Sequence, residues 1–349
     1  MCFEMTPNRI IFLFDVVEQG GVNLRAIRQA KGLRQFFPSN VEIEFVYFNY
    51  GHTPTFDPEF KFSKFTFGIA KQLVLTQKKT LIICLSGRAF LKILLLKALN
   101  ENIKSAIIQA VPIELPGIKN IKNFFRKFFV KTTYRFAEKV ISVSIELNSI
   151  MQNYVTPSNC VYCPNPVLIT MGKKAVKTEN SQLRKVIAIG RLDYQKDYHL
   201  MIEAISNTNS ELILEIFGEG PGRSELEAQI ASLKLENKVV LKGYNPDILQ
   251  LIDSYDLFVM TSRWEGLPSA YLEAQMFGIP SVCIVCPTGI MEINAQSKRG
   301  EILELRDPTL LAEAIDRQII KSKKINKKLI EYYSIANTTK ELAKIIDEI

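Results

Sequence analysis

The chain has little of what usually carries proton transfer or binds metals. Its 349 residues include two histidines and one tryptophan, and no Asp-x-Asp pair occurs. We interpret His52 and His199 as structural, because one lies in a loop rich in turn residues and the other within a predicted helix. Magnesium is usually held by one or two carboxylates together with substrate phosphates. The missing Asp-x-Asp pair therefore leads us to expect no metal and no other cofactor.

The cysteines do not form a metal site in our interpretation. Two C-x-x-C pairs occur, Cys160 with Cys163 and Cys283 with Cys286. Both lie in runs typical of strands, where residues three apart point to opposite faces and cannot share a tetrahedral ion. We expect buried, reduced thiols at these positions.

No apolar run has the length of a membrane span. The most apolar helical stretch, residues 89–99, is too short and contains Lys92 and Lys97. The first apolar run, residues 9–17, contains Asp15 and leads into a Gly-Gly loop rather than a cleavage site, so no export signal is evident. We therefore expect a cytoplasmic protein.

What the chain does contain is a repeated alternation of strand and helix patterns. Its length exceeds what one core usually supports, and the alternation predicts an α/β fold with two parallel sheets. We place a first domain at residues 1–164, a linker at 165–184, a second domain at 185–335 and a last helix at 336–349. Strands are expected at residues 9–14, 41–48, 80–85, 105–111, 139–143 and 160–162, and near Val186, Leu212, Val239, Leu257 and Ser281.

One segment of the second domain has the features of a ligand site. Residues 265–273, EGLPSAYLE, join a buried strand to a helix and carry Glu265 and Glu273. Backbone N–H groups at such a helix start favour an anionic diphosphate. Carboxylates repel phosphate, so we expect both glutamates to accept hydrogen bonds from sugar hydroxyls, as in a bound nucleotide sugar. The expected contacts at the helix start are Gly266, Leu267, Ser269 and Ala270.

A second segment carries positive charge. An apolar strand ends at Gly190 and Arg191, and Lys196 follows. Both cations then lie at the carboxyl edge of the sheet, where open α/β sheets bind ligands. A guanidinium and an ammonium suit a diphosphate and can neutralise charge on a departing nucleotide. Arg191, Lys196 and Glu265 are our candidate catalytic residues.

Several motifs follow one another in a fixed order. They are residues 189–196 (IGRLDYQK), 217–221 (FGEGP), 241–244 (LKGY), 262–273 (SRWEGLPSAYLE), 277–280 (FGIP), 286–289 (CPTG) and 300–303 (GEIL). This series resembles the donor domain of the retaining glycosyltransferases of family 4, bacterial surface-polysaccharide type, and looser matches extend over nearly the whole chain. The resemblance implies the GT-B fold, in which two Rossmann-like domains face each other across a cleft and the last helix returns to the first domain.

The resemblance also implies roles for individual residues. Arg191 and Lys196 would stabilise the leaving diphosphate, while Glu265 would contact the donor sugar and Glu273 the ribose. Gln109 stands where the family often has a histidine; it can form hydrogen bonds but cannot carry a proton. The remaining donor contacts implied by the family are Gly20, Gly21, Gly190, Gly218 and Tyr244.

A basic segment rich in phenylalanine lies in the first domain. Lys119, Lys122, Arg126 and Lys127 accompany the aromatic residues of this predicted helix. Such a composition is typical of an interfacial helix that attracts anionic lipid. The alternative is a helix that covers the sheet, with its phenylalanines in the core. Nucleic acid is not an expected partner, because neither a helix-turn-helix nor an aromatic stacking platform is evident.

We therefore expect a retaining, metal-independent enzyme that moves a hexose or N-acetylhexosamine from a nucleotide sugar, with UDP favoured. The expected acceptor is a lipid-linked oligosaccharide or a surface polysaccharide, such as lipopolysaccharide or capsule. We expect the protein in the cytoplasm, peripherally on the inner face of the plasma membrane. Two alternatives remain open: another GT-B enzyme with a soluble acceptor or epimerase activity, and a non-catalytic scaffold that binds sugar nucleotides.

Overall fold

The protein consists of two compact units. The computed structural model describes residues 7–17, 21–51, 56–167 and 183–349. Unit 1 combines Met1–Leu168 with Tyr332–Ile349, and unit 2 comprises Ile169–Glu331. Most of the segment expected to be a linker, residues 165–184, lies outside the described residues.

Unit 1 contains a parallel sheet with helical connections. Its elements are β1 (Arg9–Val17), α1 (Gly21–Leu33), β2 (Glu42–Tyr50), β3 (Lys61–Lys64), α2 (Phe67–Leu75), β4 (Thr80–Cys84), α3 (Gly87–Leu99), β5 (Ile103–Gln109), α4 (Asn120–Thr133), β6 (Lys139–Ser142), α5 (Ile145–Met151) and β7 (Cys160–Tyr162). The strand order is β3-β2-β1-β4-β5-β6-β7. The inner strand β1 is buried along most of its length, as expected of a parallel sheet that helices cover.

Unit 2 repeats this architecture with a six-stranded parallel sheet. Its elements are β8 (Arg184–Ile189), α6 (Tyr198–Ser206), β9 (Leu212–Phe217), α7 (Arg223–Ser232), β10 (Val239–Gly243), α8 (Ile248–Leu251), β11 (Leu257–Met260), α9 (Ser269–Met276), β12 (Ser281–Ile284), α10 (Ile290–Ser297), β13 (Gly300–Leu303), α11 (Pro308–Gln318) and α12 (Lys327–Tyr332). The strand order is β10-β9-β8-β11-β12-β13. The predicted α/β class with two Rossmann-like parallel sheets is confirmed.

Two strands were not predicted from the sequence pattern. Strands β3 and β13 are four residues long, stand at sheet edges and contain no fully buried residue. An edge strand is covered on fewer sides than a central one, so it does not need the apolar run by which buried strands are recognised. This explains why the pattern missed these two, whereas the edge strands β7 and β10, each with one buried residue, were recognised.

The last helix, α13 (Ile335–Asp347), belongs to unit 1 and packs against α1. Ser334 begins it, because its hydroxyl accepts a hydrogen bond from the N–H of Asn337 at 3.1 Å. Thr339 is fully buried against Gly32 of α1. A Cβ atom at Gly32 would lie 2.2 Å from Thr339 Oγ1 and 2.8 Å from its Cβ. The two helices therefore approach at a distance that only glycine permits.

We expect Gly32→Ala to lower the free energy of unfolding by about 1–3 kcal/mol, because the added methyl group must displace Thr339. Gly68→Ala in α2 is the matched control, since a Cβ there would meet only Thr66 Oγ1, at 3.6 Å. That control should be neutral or slightly stabilising, as alanine is the better helix former. Urea unfolding of both variants measures the difference, and equal midpoints would contradict the close packing of α1 on α13.

Candidate functional site

The two candidate segments meet at one edge of the second sheet. Residues 190–196 follow β8, and residues 261–273 follow β11. These strands are parallel neighbours, with Phe258 paired to Ile187. The strand order reverses between them, because β9 and β10 continue on one side while β12 and β13 continue on the other. Open α/β sheets bind ligands at the carboxyl edge of such a reversal.

An ion pair between Lys196 and Glu265 joins the two segments. Lys196 Nζ lies 2.6 Å from Glu265 Oε1, and the side chains are only 19% and 10% exposed. The sequence predicted both residues as catalytic candidates but not their contact. An ammonium group has three N–H donors, so Lys196 can keep this partner and still reach an anionic ligand.

The second predicted cation has a different environment. Arg191 is 62% exposed, and its Nε donates to Asp193 Oδ2 at 2.6 Å. The other carboxylate oxygen of Asp193 accepts from the backbone N–H of Lys196 at 3.2 Å. Asp193 thus holds the turn that carries both cations, while Arg191 remains largely open to solvent.

Two glycines allow the strand ends to approach each other. A Cβ atom at Gly218 would lie 1.9 Å from the carbonyl oxygen of Gly190, and a Cβ at Gly190 would lie 2.6 Å from Lys196 Cε and 3.0 Å from the Tyr198 hydroxyl. Burial, together with the nearby Glu265 carboxylate, raises the pKa of Tyr198, so this phenol stays protonated. Gly190, predicted as a donor contact, is thus required for the placement of Lys196, and Gly218 is required for the close approach to the backbone of Gly190.

Tyr244, another predicted donor contact, follows directly after β10. It is exposed, and the residue before it, Gly243, accepts a hydrogen bond from the N–H of Gly218 at 2.9 Å. The three motifs that begin at β8, β9 and β10 are therefore neighbours at the same sheet edge, in the order that the strands have in the sheet.

The loop after β11 and helix α9 lie where the sequence predicted them. Thr288 is fully buried, and its hydroxyl donates to the carbonyl oxygens of Glu265 and Gly266, the latter at 3.0 Å. Glu273 is buried within the helix. No side chain caps the helix start. In the described part of the chain, no acceptor meets the backbone N–H groups of Leu267, Ser269 and Ala270.

The sequence analysis did not predict the ion pairs of Asp197, which connect the loops of this site. Asp197 has left-handed backbone geometry at φ 50°, and its buried carboxylate pairs with Arg263 at 2.8 Å and Arg306 at 2.6 Å. Thr261 Oγ1 donates to the carbonyl oxygens of Lys196 and Asp197, both at 2.9 Å. Arg306 comes from the loop after β13, too far along the chain for a local motif to reveal the contact.

The predicted donor contacts of unit 1 are only partly described. Gly20 lies outside the described residues, and Gly21 is an exposed residue that begins α1. Gln109 ends β5, where its Oε1 accepts from the Tyr134 hydroxyl at 2.8 Å and its Nε2 donates to the carbonyl oxygen of Val111 at 2.5 Å. The amide of Gln109 is thus held within its own unit.

The basic segment is a helix with an exposed aromatic face. Phe124, Phe125 and Phe128 of α4 are 58–61% exposed, whereas Val130 is its buried residue. The alternative interpretation, in which the phenylalanines belong to the core, is therefore wrong for these three. An exposed aromatic cluster of this kind is typical of an interaction surface.

The four basic residues predicted for this surface divide into two pairs. Arg126 donates to two carbonyl oxygens of the preceding loop, at 2.7 and 2.8 Å, and Lys127 lies 2.6 Å from Glu114. Within the described ranges, Lys119 and Lys122 form no ion pair. Arg126 therefore fixes the loop before α4, whereas Lys119 and Lys122 are available to an external partner.

The cysteines form no disulfide within the described residues. All five in the described residues are buried, and burial raises the pKa of Cys163 to about 12.

Across residues 7–17, 21–51, 56–167 and 183–349, no three His, Cys, Asp or Glu side chains are grouped so that they could hold a metal ion. In the same ranges, no helix is both long and apolar enough to cross a bilayer.

Comparison with known proteins relates this chain to glycosyltransferases. Residues 172–334 match the family described as glycosyl transferases group 1. The chain is 26% identical, over 67% of its own length and 64% of the relative's, to the N-acetylgalactosamine-N,N'-diacetylbacillosaminyl-diphospho-undecaprenol 4-alpha-N-acetylgalactosaminyltransferase of Campylobacter jejuni. It is 25% identical, over 70% of its length and 72% of the relative's, to the UDP-Gal:alpha-D-GlcNAc-diphosphoundecaprenol alpha-1,3-galactosyltransferase of Escherichia coli.

The fold also matches that of a solved structure. Anabaena HepE in complex with UDP-glucose superposes with a TM-score of 0.79, covering 98% of this chain and 100% of that one, at 20% identity. A likeness at that level of identity establishes the GT-B fold. The matched part of the chain spans somewhat less than two thirds of the length of the Campylobacter relative.

We expect Asp197→Asn to destabilise the protein by about 2–3 kcal/mol, because Arg263 and Arg306 lose their shared carboxylate. The cost stays below that of a fully buried pair, since both arginines retain contact with solvent. Glu341→Gln is the matched control, because its pair with Lys344 at 2.8 Å is exposed and should contribute less than about 1 kcal/mol. Unfolding by guanidinium chloride measures the free energy of unfolding of both variants. An equal loss of stability in the two would contradict the structural role of Asp197.

Proposed function

We propose that this chain, whose residues 172–334 match the glycosyl transferases of group 1, transfers a hexose or N-acetylhexosamine from a nucleotide sugar, with UDP favoured. The proposed acceptor is a lipid-linked oligosaccharide or a growing surface polysaccharide. The observation that carries the proposal is the Lys196–Glu265 pair beside the open start of α9. The Campylobacter and Escherichia relatives are named for diphospho-undecaprenol acceptors, and the latter for a UDP-sugar donor. These names support the donor and acceptor classes.

The leaving diphosphate is the first element of the proposed mechanism. The N–H groups at the start of α9 face an anion without any side chain competing for them. Lys196 approaches from the neighbouring loop, and the exposed Arg191 can turn toward the same phosphate groups. A fixed donor of this kind contributes about 3–4 kcal/mol where charge develops in a transition state. In this proposal no metal is needed to separate the nucleotide from the sugar.

The sugar is the second element. Glu265 accepts from a donor-sugar hydroxyl and holds Lys196, and Glu273 accepts from the ribose hydroxyls. The acceptor hydroxyl then attacks from the side on which the diphosphate leaves, and a departing phosphate oxygen takes its proton. The new glycosidic bond replaces the bond to phosphate with the same anomeric configuration. This route needs neither a covalent enzyme intermediate nor a histidine at the position of Gln109.

A membrane surface is the proposed location of the acceptor. The exposed aromatic face of α4 is accompanied by exposed leucines at four-residue spacing in α3, namely Leu91, Leu95 and Leu99. Helices α2, α3 and α4 carry one, three and four basic residues respectively and no acidic residue. Four of these cations pair with carboxylates outside the three helices, and the other four, Lys71, Lys122, Arg126 and Lys131, form no ion pair within the described residues. Apolar side chains beside cations that lack a carboxylate partner fit an anionic lipid surface. We place this contact on the cytoplasmic face of the membrane.

We expect Lys196→Ala to lower sugar transfer by about 100- to 1,000-fold, because one charged donor to the leaving diphosphate is lost. Transfer is measured as radiolabel moving from UDP-sugars into lipid extracted from bacterial membranes. Lys344→Ala, which removes a lysine from an exposed ion pair in α13, is the control and should transfer at the wild-type rate. A Lys196→Ala protein within tenfold of wild type would remove this lysine from the mechanism.

We expect Phe124→Ser with Phe125→Ser to reduce flotation with phosphatidylglycerol vesicles at least tenfold, because both side chains lose their apolar contact with lipid. Binding of UDP should be unchanged, since neither residue is among the predicted donor contacts. Leu251→Ser with Leu310→Ser is the control, because it removes two exposed leucines from unit 2. Equal flotation of the three proteins would refute membrane contact through α4.

A further inference from the structure

A groove lies at the edge of the second sheet opposite the candidate donor site. Its volume is about 760 Å³. Its walls are formed by the residues at the starts of β12 and β13, the end of α11 and the segment that leads into α12. The donor segments follow the ends of β8 and β11 instead. We name this the basic groove, after the cations that line it: Lys298, Arg299, Lys321, Lys324, Lys327 and Lys328.

The lysines of the basic groove have no carboxylate within ion-pair distance among the residues that the structure describes. No carboxylate is among its lining residues. Arg299 donates to the carbonyl oxygen of Ser322 at 2.8 Å, and none of the five lysines forms an ion pair with any residue that the structure describes. The adjacent Lys323 differs, because its ammonium lies 3.8 Å from Asp253 outside the groove. Positive charge is thus concentrated on the concave side.

Backbone contacts keep these charges together. The N–H of Lys324 donates to the carbonyl oxygen of Gly278 at 3.2 Å, and the N–H of Asn326 donates to that of Met276 at 3.2 Å. Gly278 has φ 70°, and a Cβ there would lie 2.0 Å from the carbonyl oxygen of Lys324. The backbone of this segment is therefore packed against the turn after α9, which keeps the lysines near one another although their charges repel.

We propose that the basic groove binds at least two phosphate groups together, at a site separate from the donor site. Lysine binds phosphate as a mobile point charge, and a concave surface of one sign raises the local concentration of a ligand of the opposite sign. The groove has the size of ordinary ligand sites, a few hundred to about 1,000 Å³. Its lining favours an anion over an apolar molecule. The phosphates come either from lipid headgroups or from a soluble polyphosphate.

Inorganic tripolyphosphate is the first probe, titrated calorimetrically into protein saturated with UDP, so that the donor site is occupied. We expect saturable binding that weakens at least tenfold in Lys324→Gln with Lys328→Gln. The control, Lys104→Gln with Lys340→Gln, removes the same charge from unit 1 and should bind as wild type. Equal weakening in both variants, or no saturable binding, would overturn the proposal.

A charge-retaining variant separates electrostatics from damage to the fold. Lys324→Arg with Lys328→Arg should bind tripolyphosphate within threefold of wild type, and a tenfold loss there would contradict the proposed charge recognition. UDP binding should be the same in every groove variant. If wild type also fails to bind UDP, the proposed donor is wrong. The tripolyphosphate titration is then made without UDP and tests the groove by itself.

Competition on vesicles identifies the source of the phosphates. If headgroups occupy the groove, tripolyphosphate at matched ionic strength releases the wild-type protein from phosphatidylglycerol vesicles, and Lys324→Gln with Lys328→Gln binds these vesicles at least threefold more weakly. If the ligand is soluble, tripolyphosphate binds the groove without altering flotation. Either result supports a phosphate site in the groove. If the same tripolyphosphate concentrations release both the groove variant and wild type from the vesicles, the competition takes place at another surface, which contradicts the proposal.

Discussion

The parallel pairing of β8 with β11 is the constraint on which the candidate site depends. The strand order reverses at this pair, so the loops that leave the two strands are free to diverge above the sheet edge. They remain together because Lys196 and Glu265 form an ion pair across them and because Thr261, at the end of β11, donates to the backbone of the β8 loop. A ligand that enters between them meets side chains from one loop and a helix start from the other.

The sequence revealed the parts of this arrangement that are local. Residues 189–196 and 262–273 predicted a strand end with two cations and a helix start with two carboxylates, and both lie where the pattern placed them. The pairing of Asp197 with Arg263 and Arg306 was not predictable. It depends on a left-handed backbone at Asp197 and on Arg306, which lies more than a hundred residues away in the chain. The pattern of apolar residues along the sequence indicates neither of these features.

The surface was harder to predict than the core, for a related reason. The buried strands were recognisable because a parallel sheet requires continuous apolar runs, whereas the apolar periodicity of α4 is equally compatible with a core helix and with an interfacial one. Only its packing decides, and Phe124, Phe125 and Phe128 face outward. Likewise, the net charge of +8 does not reveal that α2 to α4 lack acidic residues or that the basic groove gathers six cations at one sheet edge.

The ion pair also bears on how the proposed reaction is accelerated. Lys196 is opposed by Glu265 and Arg191 by Asp193, so the four side chains together carry no net charge. A site of unopposed cations would also bind the intact donor tightly, and the part of the binding that donor and transition state share does not raise the rate once the site is saturated. With its cations already paired, this site gains most where negative charge grows as the sugar leaves, because the lysine and the N–H groups of α9 are already in place and need not reorganise. In that view the two carboxylates contribute to turnover by limiting how tightly the donor binds beforehand.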